Sequence, residues 1–313
     1  HCLIHPAQLT EGSTQPVTNL IGLIIPGSLA LIMFGMGTGL TVGDFTRLFR
    51  QPKAVSIGLF CQIIMLPVVA WLLVITFSIQ PIFAVGIMLI ALTPGGAVSN
   101  LFTLLARGDL ALSVTLTAIS SLLAVFTIPL LLNLALINLL GEGQLIQLPV
   151  GKTMLHIALI TVIPVTFGMI VNAQIPELTR KFAGTVKGLS LLFLMFAIVG
   201  IIARERSNLI PLLVDAGPPA LLLNSVTMGF GWLVARLMRL APRQVITITI
   251  EVGIQNAILA TALAVAPQFL GRTDIGLVPT IYGFVMVLIM LLFVGLIRLV
   301  PGILGNNYET VEI

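Results

Sequence analysis

Runs of about 20 consecutive apolar residues follow one another along almost the whole of this 313-residue chain. A helix of that length crosses the ~30 Å hydrocarbon layer of a bilayer. Inside that layer only helices and closed barrels satisfy their own backbone groups. The runs are continuous and rich in Leu, Ile and Val, without the apolar–polar alternation of a barrel strand, so they predict a helical bundle. Charge excludes the alternative of a large water-soluble core. Charged residues make up 8% of the chain and hydrophobic ones 58%, against roughly 25% charged in a soluble domain. The expected class is an all-α polytopic membrane protein with lipid as its outer solvent.

Nine spans are expected, at about 19–42, 54–77, 81–101, 110–134, 153–173, 186–203, 217–238, 244–269 and 276–299. Residues 1–18 and 301–313 read as N- and C-terminal tails around a single transmembrane domain, 19–300. The first residue is His1 rather than Met, which reads as a processed or trimmed end, and 1–18 lacks the basic-then-apolar order of a signal peptide. With the N-terminus outside, eleven of the fifteen Lys and Arg residues fall in cytoplasmic segments and four in outer ones, which predicts N-out, C-in in the cell membrane. The net charge of +4 follows these span ends and forms no phosphate-binding face, so no nucleic-acid partner is expected. Nothing in the sequence implies an oligomer. Cys2 and Cys61 have neither disulfide nor metal spacing.

Two spans differ from the rest. The third is interrupted by Pro94-Gly95-Gly96 and carries Ser99-Asn100; the eighth carries Glu251, Gly253, Gln255 and Asn256. Pairing spans 1–4 with 6–9 gives inverted repeats at about 19–134 and 186–299, with 153–173 unpaired as if a first span were missing or trimmed. That pairing sets the two interrupted spans against each other. Interrupted helices at matching places in inverted halves mark a carrier's binding site.

Glu251 is the one acidic residue well inside a span. A carboxylate there costs at least ~2.5–3.5 kcal/mol on insertion scales, and no Lys or Arg lies deep in a span to offset it. A bound cation, a proton, or hydroxyl and amide dipoles remain. Hard cations take oxygen ligands, and Gln62, Ser99, Asn100, Ser113, Thr117, Gln255 and Asn256 offer them. Ser113 and Thr117 share a helix face. Taken singly, each Ser or Thr reads as an ordinary intrahelical bond, and Glu251 could be a protonated structural residue; the clustering favours an ion. A helix restarted at mid-membrane also presents free N–H groups and a positive dipole end to an anion.

The segments Thr93-Pro94-Gly95-Gly96-Ala97-Val98-Ser99-Asn100 and Glu251-Val252-Gly253-Ile254-Gln255-Asn256 resemble the two crossover motifs of the bile acid:sodium symporter family. Phe34-Gly35-Met36-Gly37, Gln62 and Ala106-Arg107-Gly108-Asp109 extend the likeness over about 28–300. The resemblance implies an inverted-repeat transporter with panel and core domains and two broken, crossing helices. It implies one sodium site at Ser99, Asn100, Ser113, Thr117 and Glu251. A second would use Gln62, Glu251, Gln255 and the carbonyls of Val252 and Ile254. Asn256 and the amides around Gly96 and Ala97 would face the substrate. The resemblance implies cargoes such as bile acids, pantoate, keto acids and other organic anions, moved with two Na+ ions by alternating access.

Three rivals are weighed. A proton-coupled organic-anion carrier or exchanger titrating Glu251 explains the carboxylate but leaves the hydroxyl and amide cluster idle. An intramembrane enzyme finds no Ser–His, paired-Asp or His–Glu motif, with His156 and Cys61 isolated. A channel would show charge rings or a carbonyl filter, and none is evident. Two packing expectations complete the reading: Gly35 and Gly39 form a close-packing GxxxG, and Gly217-Pro218-Pro219 starts the seventh span.

Overall fold

The computed structural model describes residues 27, 29–140, 149–177, 179, 181 and 209–299. The expected tails at 1–18 and 301–313 and the expected sixth span at 186–203 lie outside the described residues. All regular structure among the described residues is helical. In chain order the main helices are α1 (Leu29–Gly37), α2 (Val42–Arg50), α3 (Pro52–Thr76), α4 (Pro81–Leu92), α5 (Ala97–Leu105) and α6 (Leu110–Leu140). They continue with α7 (Val150–Gln174), α8 (Leu209–Leu237), α9 (Pro242–Gly253), α10 (Ala257–Val265) and α11 (Thr273–Leu299).

The chain is an integral membrane protein with six helices, among the described residues, long and apolar enough to cross a bilayer. The number is seven if α1 and α2, bent by 64° at their junction, form one span. Within the first expected span α1 stops at Gly37, Thr38–Leu40 turn the chain, and α2 follows as an amphipathic helix. Lipid-facing and enclosed spans are distinct. In the most apolar stretch of Thr273–Leu299 28% of residues are buried, against 83% in Pro242–Val265, so the latter is surrounded by protein.

Gly217-Pro218-Pro219 does not start a span. Helix α8 begins at Leu209 and runs through both prolines. Each proline frees the carbonyl four residues before it, at Val214 and Asp215. A cleft of about 270 Å³ lined by Asp215, Pro218, Pro219, Gln80 and Phe83 opens beside that turn, and membrane helices tolerate such breaks where freed groups find other partners.

Prolines also explain two π-helical stretches, Cys61–Met65 in α3 and Ala158–Val162 in α7. Pro67 and Pro164 follow them by two residues. A proline ring clashes with the carbonyl four residues earlier, and a widened turn relieves the clash. In α3 that widened turn holds Gln62, 3% exposed.

Helices α1 and α7 meet backbone to backbone. A Cβ at Gly168 would collide with the Phe34 carbonyl and stand 2.8 Å from Thr38 N, and one at Gly37 would strike the Val165 carbonyl. The close approach thus falls at Gly37 rather than at Gly39, where the nearest atom is 3.4 Å away. Gly168→Ala is expected to cost about 2 kcal/mol through overpacking, read as a lowered Tm in detergent; an unchanged Tm would refute this packing. At one end of the bundle, Arg298 donates from Nε and an Nη nitrogen to the Leu105 carbonyl (3.1 and 2.9 Å), and Arg243 donates to that of Arg107 (3.2 Å). These cations cap the C-terminal end of α5, where the helix dipole favours positive charge.

Candidate functional site at the junction of two broken helices

Helix α4 stops at Leu92 because Pro94 drives the residue before it out of helical geometry; Thr93 is extended at φ −76°, ψ 149°. Gly96, also extended, precedes α5. Helix α9 stops at Gly253, Ile254 is extended at φ −103°, ψ 111°, and Asn256 Oδ1 accepts from Leu259 N–H at 3.0 Å to cap α10. The two breaks touch: Asn256 N–H donates to the Pro94 carbonyl at 2.9 Å. One junction therefore gathers two helix C-termini and two N-termini, negative and positive dipole ends respectively.

Glu251 lies on the last turn of α9, 1% exposed, and is the only charged side chain in the buried set among the described residues. Its Oε2 accepts from Ser113 Oγ at 2.8 Å and its Oε1 from Thr117 Oγ1. Both hydroxyls come from one face of α6, as their spacing of four requires. Ser99 Oγ donates to the Gly96 carbonyl at 2.7 Å and lies 3.4 Å from Thr117 Oγ1, which brings α5 to the same carboxylate. Asn100 is beside Ser99 on α5, and its Oδ1 is enclosed with no hydrogen-bond partner among the described residues.

The second group lies along the other side of the breaks. Gln62 Nε2 donates to Gln255 Oε1 at 2.6 Å and to the Thr93 carbonyl at 3.2 Å, tying α3 to both interruptions. Gln255 Nε2 donates to the Val252 carbonyl at 2.9 Å. Gln62 Oε1 is also enclosed without a partner among the described residues. Ile254 is fully buried in the extended link between α9 and α10. Gly96 and the backbone of Ala97 begin α5 at the junction, where a Cβ on Gly96 would stand 4.0 Å from Asn256 Cα. The site residues singled out in the sequence thus lie on α3, α5, α6, the last turn of α9 or the two breaks. Hydrogen bonds join Ser99, Ser113, Thr117 and Glu251 in one set and Gln62, Gln255 and Val252 in another; Asn100 Oδ1 takes part in neither.

Several contributors carry no motif. Thr103 donates to Ser113 Oγ at 3.3 Å, and Asn224 and Tyr282 both donate to the Gly253 carbonyl. Gly95 matters through absence: a Cβ there would overlap Glu251 Oε1. Asn224, an amide inside an apolar stretch, was the signal in the sequence that could have revealed the second of these.

The donor set suits an alkali cation. It is one carboxylate with hydroxyl, amide and backbone oxygens, all hard ligands. The amide oxygens of Gln62, Asn100 and Asn224 are enclosed near the two breaks without a partner among the described residues, and an oxygen-coordinated ion would satisfy such a group. Residues 26–211 match the model of the family described as Sodium Bile acid symporter family. The chain is 32% identical over 238 residues to the uncharacterized sodium-dependent transporter YocS of Bacillus subtilis (strain 168), covering 76% of this chain and 72% of that one.

The chain belongs to the sodium bile acid symporter family.

Two mammalian members of the family are also similar. The sodium-dependent organic anion transporter of Bos taurus is 31% identical over 236 residues, and the human sodium/bile acid cotransporter 4 is 30% identical over 264. These matches cover 73% and 82% of this chain but 60% and 59% of those proteins, so the chain spans about three fifths of their length. The family is one of transporters, not enzymes. The stretch that matches the family model ends at residue 211, before the second break.

Proposed function

We propose that this protein is a sodium-coupled secondary symporter of an organic anion, working by alternating access. The observation that carries the reading is Glu251, enclosed at the contact of two helix breaks and ringed by hydroxyls from α5 and α6. The relatives, named as sodium-dependent transporters of organic anions or bile acids, agree with it.

One sodium ion is assigned to Ser99, Asn100, Ser113, Thr117 and Glu251. A second is assigned to Gln62, Glu251, Gln255 and the carbonyls of Val252 and Ile254. The substrate carboxylate, bile-acid-like, pantoate-like or of a keto acid, is assigned to Asn256 and the amides of Gly96 and Ala97, at the positive ends of α5 and α10. Two cations and one monovalent anion carry one net positive charge inward, so the membrane potential adds ~2.3 kcal/mol per 100 mV.

The architecture proposed with this is nine spans in one domain over 19–300, with tails at 1–18 and 301–313. The spans are the six long helices, the α1–α2 region, the broken pair α4–α5, and 186–203. The inverted repeats are 19–134 and 186–299, with 153–173 unpaired. Helices α1 and α7, which pack through Gly37 and Gly168, belong to the panel; α3 to α6 and α8 to α11 make the core. The proposed orientation is N-terminus outside, C-terminus cytoplasmic, on the eleven-to-four distribution of basic residues.

Uptake of radiolabelled taurocholate, pantoate and a short keto acid into proteoliposomes tests the reading. At least one is expected to accumulate under an inward sodium gradient and not under a potassium one. Accumulation driven by a pH gradient without sodium would replace this reading by proton coupling at Glu251. Gln255→Ala is expected to raise the sodium concentration for half-maximal uptake about tenfold, through loss of one ligand and of the Gln62 bond. An unchanged sodium dependence would remove Gln255 from the site.

A further inference from the structure

The break after Gly253 strips two backbone carbonyls of their helical partners. Asn256 N–H, which a continuous helix would direct to Val252, donates to Pro94; Ala257 N–H, which would serve Gly253, turns to Gln255 at 2.9 Å. Buried carbonyls need other donors. Val252 receives Gln255 Nε2 at 2.9 Å and keeps a second lone pair, because the single hydroxyl hydrogen of Thr227, 3.5 Å away, is claimed by the nearer Leu223 carbonyl at 2.7 Å. Gly253 receives two: Asn224 Nδ2 at 2.6 Å from α8 and Tyr282 OH at 2.9 Å from α11. Asn224 Nδ2 also lies 3.0 Å from the Tyr282 oxygen, and both residues are 0% exposed.

Two donors fill the two lone pairs of a carbonyl. The Gly253 carbonyl is therefore closed to any cation and anchored toward α8 and α11. In extended backbone successive carbonyls point to opposite sides. With Ile254 extended, anchoring Gly253 in one direction turns the Ile254 carbonyl in the other.

We propose that Asn224 and Tyr282 are positioning residues that, through the amide nitrogen of the one and the hydroxyl of the other, set the aim of the carbonyls at the second break and thereby tune its affinity for sodium. The inference rests on the sodium reading given above. It explains why a phenol and an amide are enclosed together in a region otherwise packed by Met228 and Met290, whose side chains crowd Gly253. A single donor would satisfy the carbonyl; two from different helices fix its direction.

The test is thermal unfolding of the purified full chain in rising NaCl, with KCl replacing it at constant ionic strength. The native protein is expected to gain Tm with sodium and not with potassium. Tyr282→Phe keeps the ring and removes the hydroxyl, and is expected to raise the half-saturating sodium about fivefold with a Tm in potassium close to native. Asn224→Ser is expected to do the same, and carries the test should Tyr282→Phe fail to fold. The double variant is expected to fall short of the product of the singles, because both act on one carbonyl. Thr280→Val is the control: on the same helix, it removes a hydroxyl that donates to Gly276 and lies 3.1 Å from Thr261 Oγ1. It is expected to leave sodium half-saturation unchanged.

A native response to sodium with Tyr282→Phe and Asn224→Ser titrating like the native chain overturns this inference alone. An equal shift in Thr280→Val overturns it too, since loosening of α11 would then be the cause. A native protein indifferent to sodium overturns the transport reading, and this inference with it.

Discussion

Glu251→Ala is expected to abolish sodium-driven uptake, a loss of at least about 100-fold, while the protein still folds. The carboxylate is the only charged group in the buried set among the described residues, and both its oxygens are engaged. Removing one partner of a buried charge pair costs ~3–5 kcal/mol, which at the ion site appears as lost affinity. Folding survives because Ser113 and Thr117 can turn back to the carbonyls four residues earlier, of Asp109 just before α6 and of Ser113, as Thr115 already does to Ala111. Glu251→Gln, which keeps the shape and removes the charge, is expected to fail equally. The measurement is proteoliposome uptake beside a gel-filtration profile. A folded Glu251→Ala protein with native sodium dependence would sink the ion-site assignment.

Gly95→Ala is expected to be nearly as damaging, and its neighbour Gly96→Ala nearly silent toward sodium. A Cβ at 95 would overlap Glu251 Oε1 and stand 3.3 Å from Thr117 Oγ1. The carboxylate is fully enclosed and has nowhere to withdraw. At Gly96 the nearest atoms are 4.0 Å away and φ is −122°, a conformation open to any residue. Overpacking costs ~1–3 kcal/mol, so Gly95→Ala should weaken sodium binding roughly 10- to 100-fold in thermal titrations. Equal effects at the two glycines would mean that the break needs glycine for flexibility rather than for space.

The two interrupted spans were legible because their chemistry is local. Proline excludes the preceding residue from helix, and Thr93 is extended for that reason. Glu251, Gln255 and Asn256 stand out because a polar group in an apolar run is costly wherever the run packs. The same logic misled at Pro218 and Pro219. There the local rule starts a helix, but α8 passes through both prolines, because in a membrane bundle the surroundings can satisfy what a proline frees. Asn224 and Tyr282 escaped notice for a related reason. A lone amide and a lone phenol in apolar stretches acquire meaning only when folding brings both to the carbonyl of Gly253, 29 residues from each.

By itself the sequence determined the solvent, the helical class and the places where helices stop, since each depends on a residue's own cost in lipid or its own backbone freedom. The tertiary structure alone decided which carbonyl each donor meets, which glycine must lack a Cβ, and that the two breaks touch. Those are distances between residues far apart in the chain, and they arise only when helices pack.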